Sequence, residues 1–355
     1  MFFDRFLRIE RELASEAGLR PLKLGVRTGS GGSTASRRDA TFGRGRFSDD
    51  LGIDGILVQV GKESGRAFPD AARESGVVYN RPMPTTPRSI SLAHLTVLDT
   101  TPPELITVAA AAGFRTIGIR LTATPSVGIP PYDVLHEGPM LRETLLRLKD
   151  TGVSVLDTEF LRFESEHPIG IPEGFLEVSA RLGAKHVLVM SAEPEEARTL
   201  ERFGELCDRA AQYGLHVGLE FAVYTGVRTL AHAAQVVAKS KRANVSVVVD
   251  ALHFSRSGGM PADIRTVDPS LFRYAQICDA SADMPGPTDT PNLIREARTG
   301  RLLPGEGVLP LRELVAALPA GVPLAIEAPC RATADLPAVE RAKRAYQALS
   351  ALLTS

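Results

Sequence analysis

The chain has 355 residues, 44% of them hydrophobic and 23% charged, with a formal net charge of -1. This is the composition of a globular protein with one large core or two modest ones. Its charge gives no whole-molecule pull toward nucleic acid or an anionic membrane. No apolar run approaches the roughly 20 residues that a spanning helix needs. The opening "MFFDRFLRIERELASEAGLR" holds too many Arg, Asp and Glu residues for the apolar core of a signal peptide. The three cysteines, Cys207, Cys278 and Cys330, are far apart and odd in number. They imply neither a disulfide framework nor a Cys-pair metal site, and they fit a reducing cytoplasm.

Taken in chain order, residues 1–85 and 86–355 read differently. A short helix is expected from Phe2 to Ala17, followed by "RTGSGGSTASRRDATFGRGRFSDD", which lacks apolar periodicity. Such a segment cannot bury enough surface to offset its ordering entropy. A brief strand is expected at "GILVQV", 55–60, and the Pro-rich "YNRPMPTTPR" reads as a boundary. Residues 1–85 are thus expected to be a loosely structured N-terminal extension. Met83, directly before the regular part, is a candidate start codon.

From Ile90 onward a short apolar strand, a turn and an amphipathic helix alternate. The expected strands are 90–97, 116–121, 153–160, 186–192, 216–221, 245–251, 273–280 and 322–328. Gly113, Gly152, Gly183 and Gly214 are expected helix stops. Eight strands alternating with helices give the rhythm of a (β/α)8 TIM barrel. A doubly wound sheet would more naturally carry a Gly-rich turn after its first strand, and "LDTTPPEL" has no glycine.

The polar residues stand out against that pattern. In "HVGLEF", Val217, Leu219 and Phe221 share one face, so Glu220 shares the other with His216 and Gly218. The bulky face belongs under the helices, which turns Glu220 into the barrel. The same alternation turns Glu327 of "PLAIEA", Gln276 of "YAQICD" and Arg120 of "TIGIRL" inward, and Asp250 closes strand six. Catalytic groups of this fold sit at the C-terminal ends of the strands. Three carboxylates converging there would repel one another and lose water. One divalent cation removes that conflict, and a set of acid and amide oxygens suits Mn²⁺ or Mg²⁺, with Co²⁺ or Zn²⁺ as further candidates.

These residues carry a resemblance. "GLEF", "VVVDALHF", "AQICDA", "GRLLPGEG" and "AIEAP", in this order on strands five to eight, resemble the motif series of the xylose isomerase-like barrel superfamily, the sugar phosphate isomerase/epimerase group. The resemblance spans about residues 88–355. It implies one metal held by Glu220, Asp250, Gln276 and Glu327, with Glu220 and Glu327 also moving the proton. Ketose 3-epimerases of the group usually carry His at the strand-seven position. Gln276 is similar instead to the 3-dehydroshikimate dehydratase branch. The implied chemistry starts with proton abstraction beside a carbonyl and a metal-stabilised enediolate.

Further groups are candidates for binding substrate. His253 follows Asp250 in a D-x-x-H pattern that matches a substrate- or metal-proximal His of the family. Arg120, Arg256 and Arg301 are candidates for a substrate carboxylate or phosphate. Glu159 ends strand three, where it either binds sugar hydroxyls or pairs with Arg162. His94 is expected to be core or rim. The leading expectation is an isomerase or epimerase of a small sugar, sugar phosphate or polyol derivative. The alternatives are a dehydratase (lyase) of the same barrel, an endonuclease IV-like enzyme with several metals and many His ligands, and a binding barrel without turnover. A small carbohydrate partner, no nucleic acid, no membrane and homo-oligomer formation complete the expectations.

Overall fold

The computed structural model describes residues 88–122, 132–165 and 170–354. The expected extension over 1–85, with its helix at 2–17 and its strand at 55–60, lies outside the described residues. Eight parallel strands close into a barrel in sequence order. They are β1 (Ile90–Leu92), β2 (Thr116–Arg120), β3 (Ser154–Phe163), β4 (His186–Ser191), β5 (His216–Glu220), β6 (Val245–Asp250), β7 (Ala275–Ile277) and β8 (Leu324–Ile326). Closure comes from β8 pairing with β1, where Ile90, Ser91 and Leu92 face Leu324, Ala325 and Ile326. The barrel therefore has no free sheet edge.

The surrounding helices are α1 (Pro102–Ala112), α2 (Pro139–Thr151), α3 (Phe175–Arg181), α4 (Glu196–Ala211), α5 (Leu230–Ser240), α6 (Ala251–Arg256), α7 (Thr290–Thr299), α8 (Leu311–Ala317) and α9 (Ala338–Thr354). Helix α1 starts at a capping box, in which Thr101 and Glu104 satisfy each other's backbone amides. The four glycines expected as helix stops all have positive φ, between 67° and 98°, a conformation that costs glycine little.

The core has two layers. Outward side chains such as Val217, Leu219, Val247 and Ile326 pack under the helices. A smaller cluster, Ala93, Leu156, Leu188, Val248, Tyr274 and Ala325, fills the barrel itself. The interior is thus a packed plug, with acids at the strand ends above it. Strands β1, β7 and β8 are shorter than expected. After Leu92 the chain leaves the sheet and forms a 3-10 turn over His94–Val97. Strand β3 is longer than expected and reaches Phe163. Its register shifts against β2 between Ile117 and Gly118, and against β4 between Thr158 and Leu161. These bulges put the successive residues Leu156 and Asp157, and then Glu159 and Phe160, on the barrel side, which strict alternation does not allow.

Candidate active site

Glu220 is the last residue of β5, Asp250 the last of β6, and Glu327 follows β8. One carboxylate oxygen from each lies within 4.8 Å of the others, and all three residues are buried. The local sequence produces this directly: each acid occupies the inward position after an apolar outward residue, Leu219, Val249 or Ile326. Asp250 also caps α6, where its Oδ1 accepts the backbone N–H of His253 at 2.9 Å. Gln276 on β7 is the register partner of Asp250 and is 1% exposed. Neither its Oε1 nor its Nε2 has a hydrogen-bond partner among the described residues.

One cation serves this group among the described residues. Arg301 is 2% exposed; its Nη1 lies 2.5 Å from Asp250 Oδ2 and its Nη2 3.1 Å from Glu327 Oε2. The guanidinium is held in place by donating to the carbonyls of Ala297 and Glu327. A single positive charge does not balance three carboxylates. Burial first, then the charges of Glu327 and Asp250, push Glu220 well above the usual carboxylate range. Burial likewise raises Glu327, to about 8, although Arg301 pulls the other way. Burial also opposes ionisation of Asp250, but Arg301 and His253 hold it below its ordinary value. The donor set fits a hard divalent cation. Three clustered carboxyls carry excess negative charge, and a buried amide oxygen beside them is unused.

His253 on α6 places Nε2 4.0 Å from Glu220 Oε1. Burial lowers its pKa to about 4, so the imidazole is neutral near pH 7. The remaining expected residues separate. Glu159 lies inside the barrel, 1% exposed, and pairs with Arg120 at 3.2 Å. Arg162 pairs with Glu164 instead, at 2.8 Å. The carboxylate of Glu159 also accepts the backbone N–H of His94 at 3.3 Å, while Nδ1 of His94 accepts from the Arg120 N–H. His94 is therefore a buried organiser of the rim. The Arg120 guanidinium sits 5.1 Å from the Phe160 ring centroid. Arg256 does not join the carboxylates. It is bound to Glu296 at 2.5 Å and to the Ser281 carbonyl.

Two features escaped the sequence reading. Asp157 is 1% exposed, one bulge below Glu159, and neither of its oxygens has a hydrogen-bond partner among the described residues. Burial, then Glu159 and Glu327, raise its pKa well above the usual range. Gly118 makes this crowding feasible, because a Cβ there would stand 2.6 Å from Glu159 Oε1 and 2.9 Å from Asp157 Oδ1. The other feature is Tyr224, whose ring meets the His253 ring edge-on at 5.6 Å. It lies in a loop without periodic signal. Among the described residues the only qualifying group of His, Cys, Asp and Glu ligands is the three-carboxylate one, with no cluster of many histidines.

A closed eight-stranded barrel with a buried carboxylate triad at the ends of its strands defines a class. The family model for the xylose isomerase-like TIM barrel matches residues 106–352, and the chain belongs to that family. It is 28% identical over 150 residues to an inosose isomerase of Bacillus licheniformis, an alignment covering 39% of this chain and 51% of that protein. It is 27% identical over 223 residues to a 3-dehydroshikimate dehydratase of Pseudomonas aeruginosa, covering 59% of this chain and 33% of that protein. The matches thus span about half of the first relative and a third of the second. Among solved structures, the IolI protein with a bound zinc atom superposes with a TM-score of 0.62 at 20% identity, covering 75% of this chain and 98% of that one. The 3-keto-D-glucoside 4-epimerase YcjR of E. coli superposes with a TM-score of 0.56 at 17% identity, covering 76% of this chain and 100% of that one. At those identities the superpositions speak for the fold.

Proposed function

We propose that this protein is a divalent-metal-dependent isomerase or epimerase of a small, uncharged polyhydroxy carbonyl compound. The observation that carries the reading is the buried triad of Glu220, Asp250 and Glu327, left with Arg301 as its only cationic partner among the described residues. Glu220, Asp250, Gln276 and Glu327 would hold the metal, Mn²⁺ or Mg²⁺ by the hardness of their oxygens. When bound, the metal supplies Lewis-acid stabilisation of the charge that develops on a substrate carbonyl.

The chain's own residues do the rest. Glu220 takes the proton from the carbon beside the carbonyl, and Glu327 returns one on the other face. Without a cation, burial and the neighbouring carboxylates hold both groups above the usual carboxylate range; a bound cation would favour their ionised, base-competent form. His253, neutral and 4.0 Å from Glu220, offers a hydrogen bond to a substrate oxygen. Arg301 holds Asp250 and Glu327 in position.

Charge supports an uncharged substrate. Three carboxylates less one guanidinium leave two negative charges, which a divalent cation cancels. The arginines named as anion candidates are engaged: Arg120 by Glu159, Arg256 by Glu296 and Arg301 by the triad. A substrate carboxylate would have to displace one of these pairs. The relationship to an inosose isomerase agrees with a cyclic polyhydroxy ketone. A second reading, a dehydratase acting on a hydroxy-keto acid, draws on Gln276 and on the longer match to the 3-dehydroshikimate dehydratase.

The test is proton exchange in deuterated water. Manganese-loaded protein is incubated with an inosose and with ketohexoses, and loss of the C–H signal next to the carbonyl is followed by NMR. Exchange that stops on chelation supports the first reading. Absence of exchange, with growth of enone or aromatic absorbance from 3-dehydroshikimate, replaces it with the second.

A further inference from the structure

The loop between β5 and α5 holds one residue in an unusual state. Ala222 donates to the Val227 carbonyl at 3.1 Å, and Thr225 donates from its backbone to Ala222 at 2.9 Å. The Thr225 hydroxyl is 2.8 Å from the Ala222 carbonyl and 2.6 Å from that of Val227. Gly226 donates to the Ser191 carbonyl at the end of β4, at 2.7 Å. A Cβ at Gly226 would stand 2.0 Å from the Glu193 carbonyl oxygen, so only glycine brings the loop this close. The turn is clamped to the barrel on both sides.

Tyr224 rides on this clamped turn, half-buried, four residues beyond Glu220. Its ring is fixed edge-on to His253. Its hydroxyl makes no hydrogen bond to any described residue, and it lies within electrostatic reach of Glu220 and Arg301. Burial and the Glu220 charge raise its pKa, so the phenol is a neutral donor throughout the working range. A rigid backbone, a packed ring and an unspent hydroxyl within electrostatic reach of the proton-transferring acid have one economical explanation. We infer that Tyr224 is a substrate-contacting residue whose hydroxyl hydrogen-bonds an oxygen of the ligand seated over Glu220 and His253.

This inference rests on the proposed isomerase or epimerase reading and adds a residue to it. The geometry favours a hydroxyl-rich ligand: Tyr224 offers a donor and an acceptor at one atom, as a sugar or cyclitol hydroxyl requires. The hydroxyl acts in substrate binding or orientation, and no proton needs to leave it.

The experiment compares wild type with Tyr224→Phe and His253→Gln, all manganese-loaded, with an inosose as probe. Readouts are Mn²⁺ affinity, melting temperature and the rate of α-proton exchange in deuterated water. Tyr224→Phe keeps the ring on His253 and removes only the hydroxyl. The expected result is unchanged metal affinity and melting temperature with a loss of about tenfold in kcat/KM, the size of a hydrogen bond to a ligand. Equal kcat/KM in wild type and Tyr224→Phe overturns the role of Tyr224 alone. A fall in melting temperature that accounts for the lost activity also overturns it, because the hydroxyl then serves the fold. If wild type itself exchanges no proton, the isomerase reading fails and the inference fails with it. The wild-type rate therefore separates the two failures.

Discussion

The two halves of the barrel deal with buried acid in opposite ways. In the first half, β1 to β4, Glu159 is paired with Arg120 and a backbone amide, and burial pushes the carboxyl of Asp157 well above the usual range. In the second half, β5 to β8, three carboxylates are brought within 4.8 Å and given one arginine between them. The first half is complete as folded, and the second is short of positive charge. Burying an acid is a structural cost that the chain can cancel internally, as it does on β3. Where it leaves the cost uncancelled on three strands at once, the missing charge is the functional signal.

The comparison breaks most visibly at the triad. Glu220→Gln and Glu327→Gln should each lower turnover by at least about a hundredfold, the usual scale for losing a positioned acid or base. Isothermal titration should show weakened Mn²⁺ binding in both. In the first half the effect should fall on stability. Arg120→Met leaves Glu159 buried beside Asp157 without its cation, and chemical denaturation should show a loss of about 3 kcal/mol. Metal affinity should change far less than in the triad variants, since Arg120 pairs with Glu159 and acts on the triad through its charge on Glu327.

Smaller is the pH response of the metal-free protein. Glu327, near 8 when folded, and Asp157, also raised, bind protons more tightly in the fold than in the unfolded chain. Such groups lose stability as pH rises through the folded value. Buried His94, His186 and His253, lowered to about 4, 3 and 4, work the other way, but only below about pH 6.5. Chelated protein should therefore melt at a lower temperature at pH 8.5 than at pH 6.5. Asp157→Asn should flatten part of that slope, and saturating Mn²⁺ should abolish most of the rest. A slope of the opposite sign would mean that the buried acids are already compensated within the chain.

Strand ends were the most legible part of this sequence. Glu220, Gln276 and Glu327 alternate with bulky apolar residues on straight strands, so period-two reading turned them inward, where they are found. The barrel followed from eight such strands and the glycine stops. Strand β3 was less legible because its two bulges break the period, which hid Asp157 and left Glu159 between sugar hydroxyls and Arg162, where the fold pairs it with Arg120. The turn after Leu92 was hidden for a similar reason: "AHLTV" is apolar enough for a strand, but His94 is drawn out of the sheet by hydrogen bonds to Thr100 and Arg120, 6 and 26 residues away. Arg301 read as a candidate for a substrate anion, since nothing local says that its side chain runs inward to Asp250. Tyr224 had no sequence signal at all, because its importance comes from a hydroxyl with no partner.

The central claim is tested most directly by calorimetric titration of chelated, redialysed protein with Mn²⁺ at pH 7 in two buffers of different ionisation enthalpy. The account predicts one tight site, with net proton release as the cation displaces the proton on Glu327, which burial raises to about 8. Asp250→Asn should abolish that site. Absence of saturable binding, or binding that survives Asp250→Asn unchanged without proton release, would contradict it.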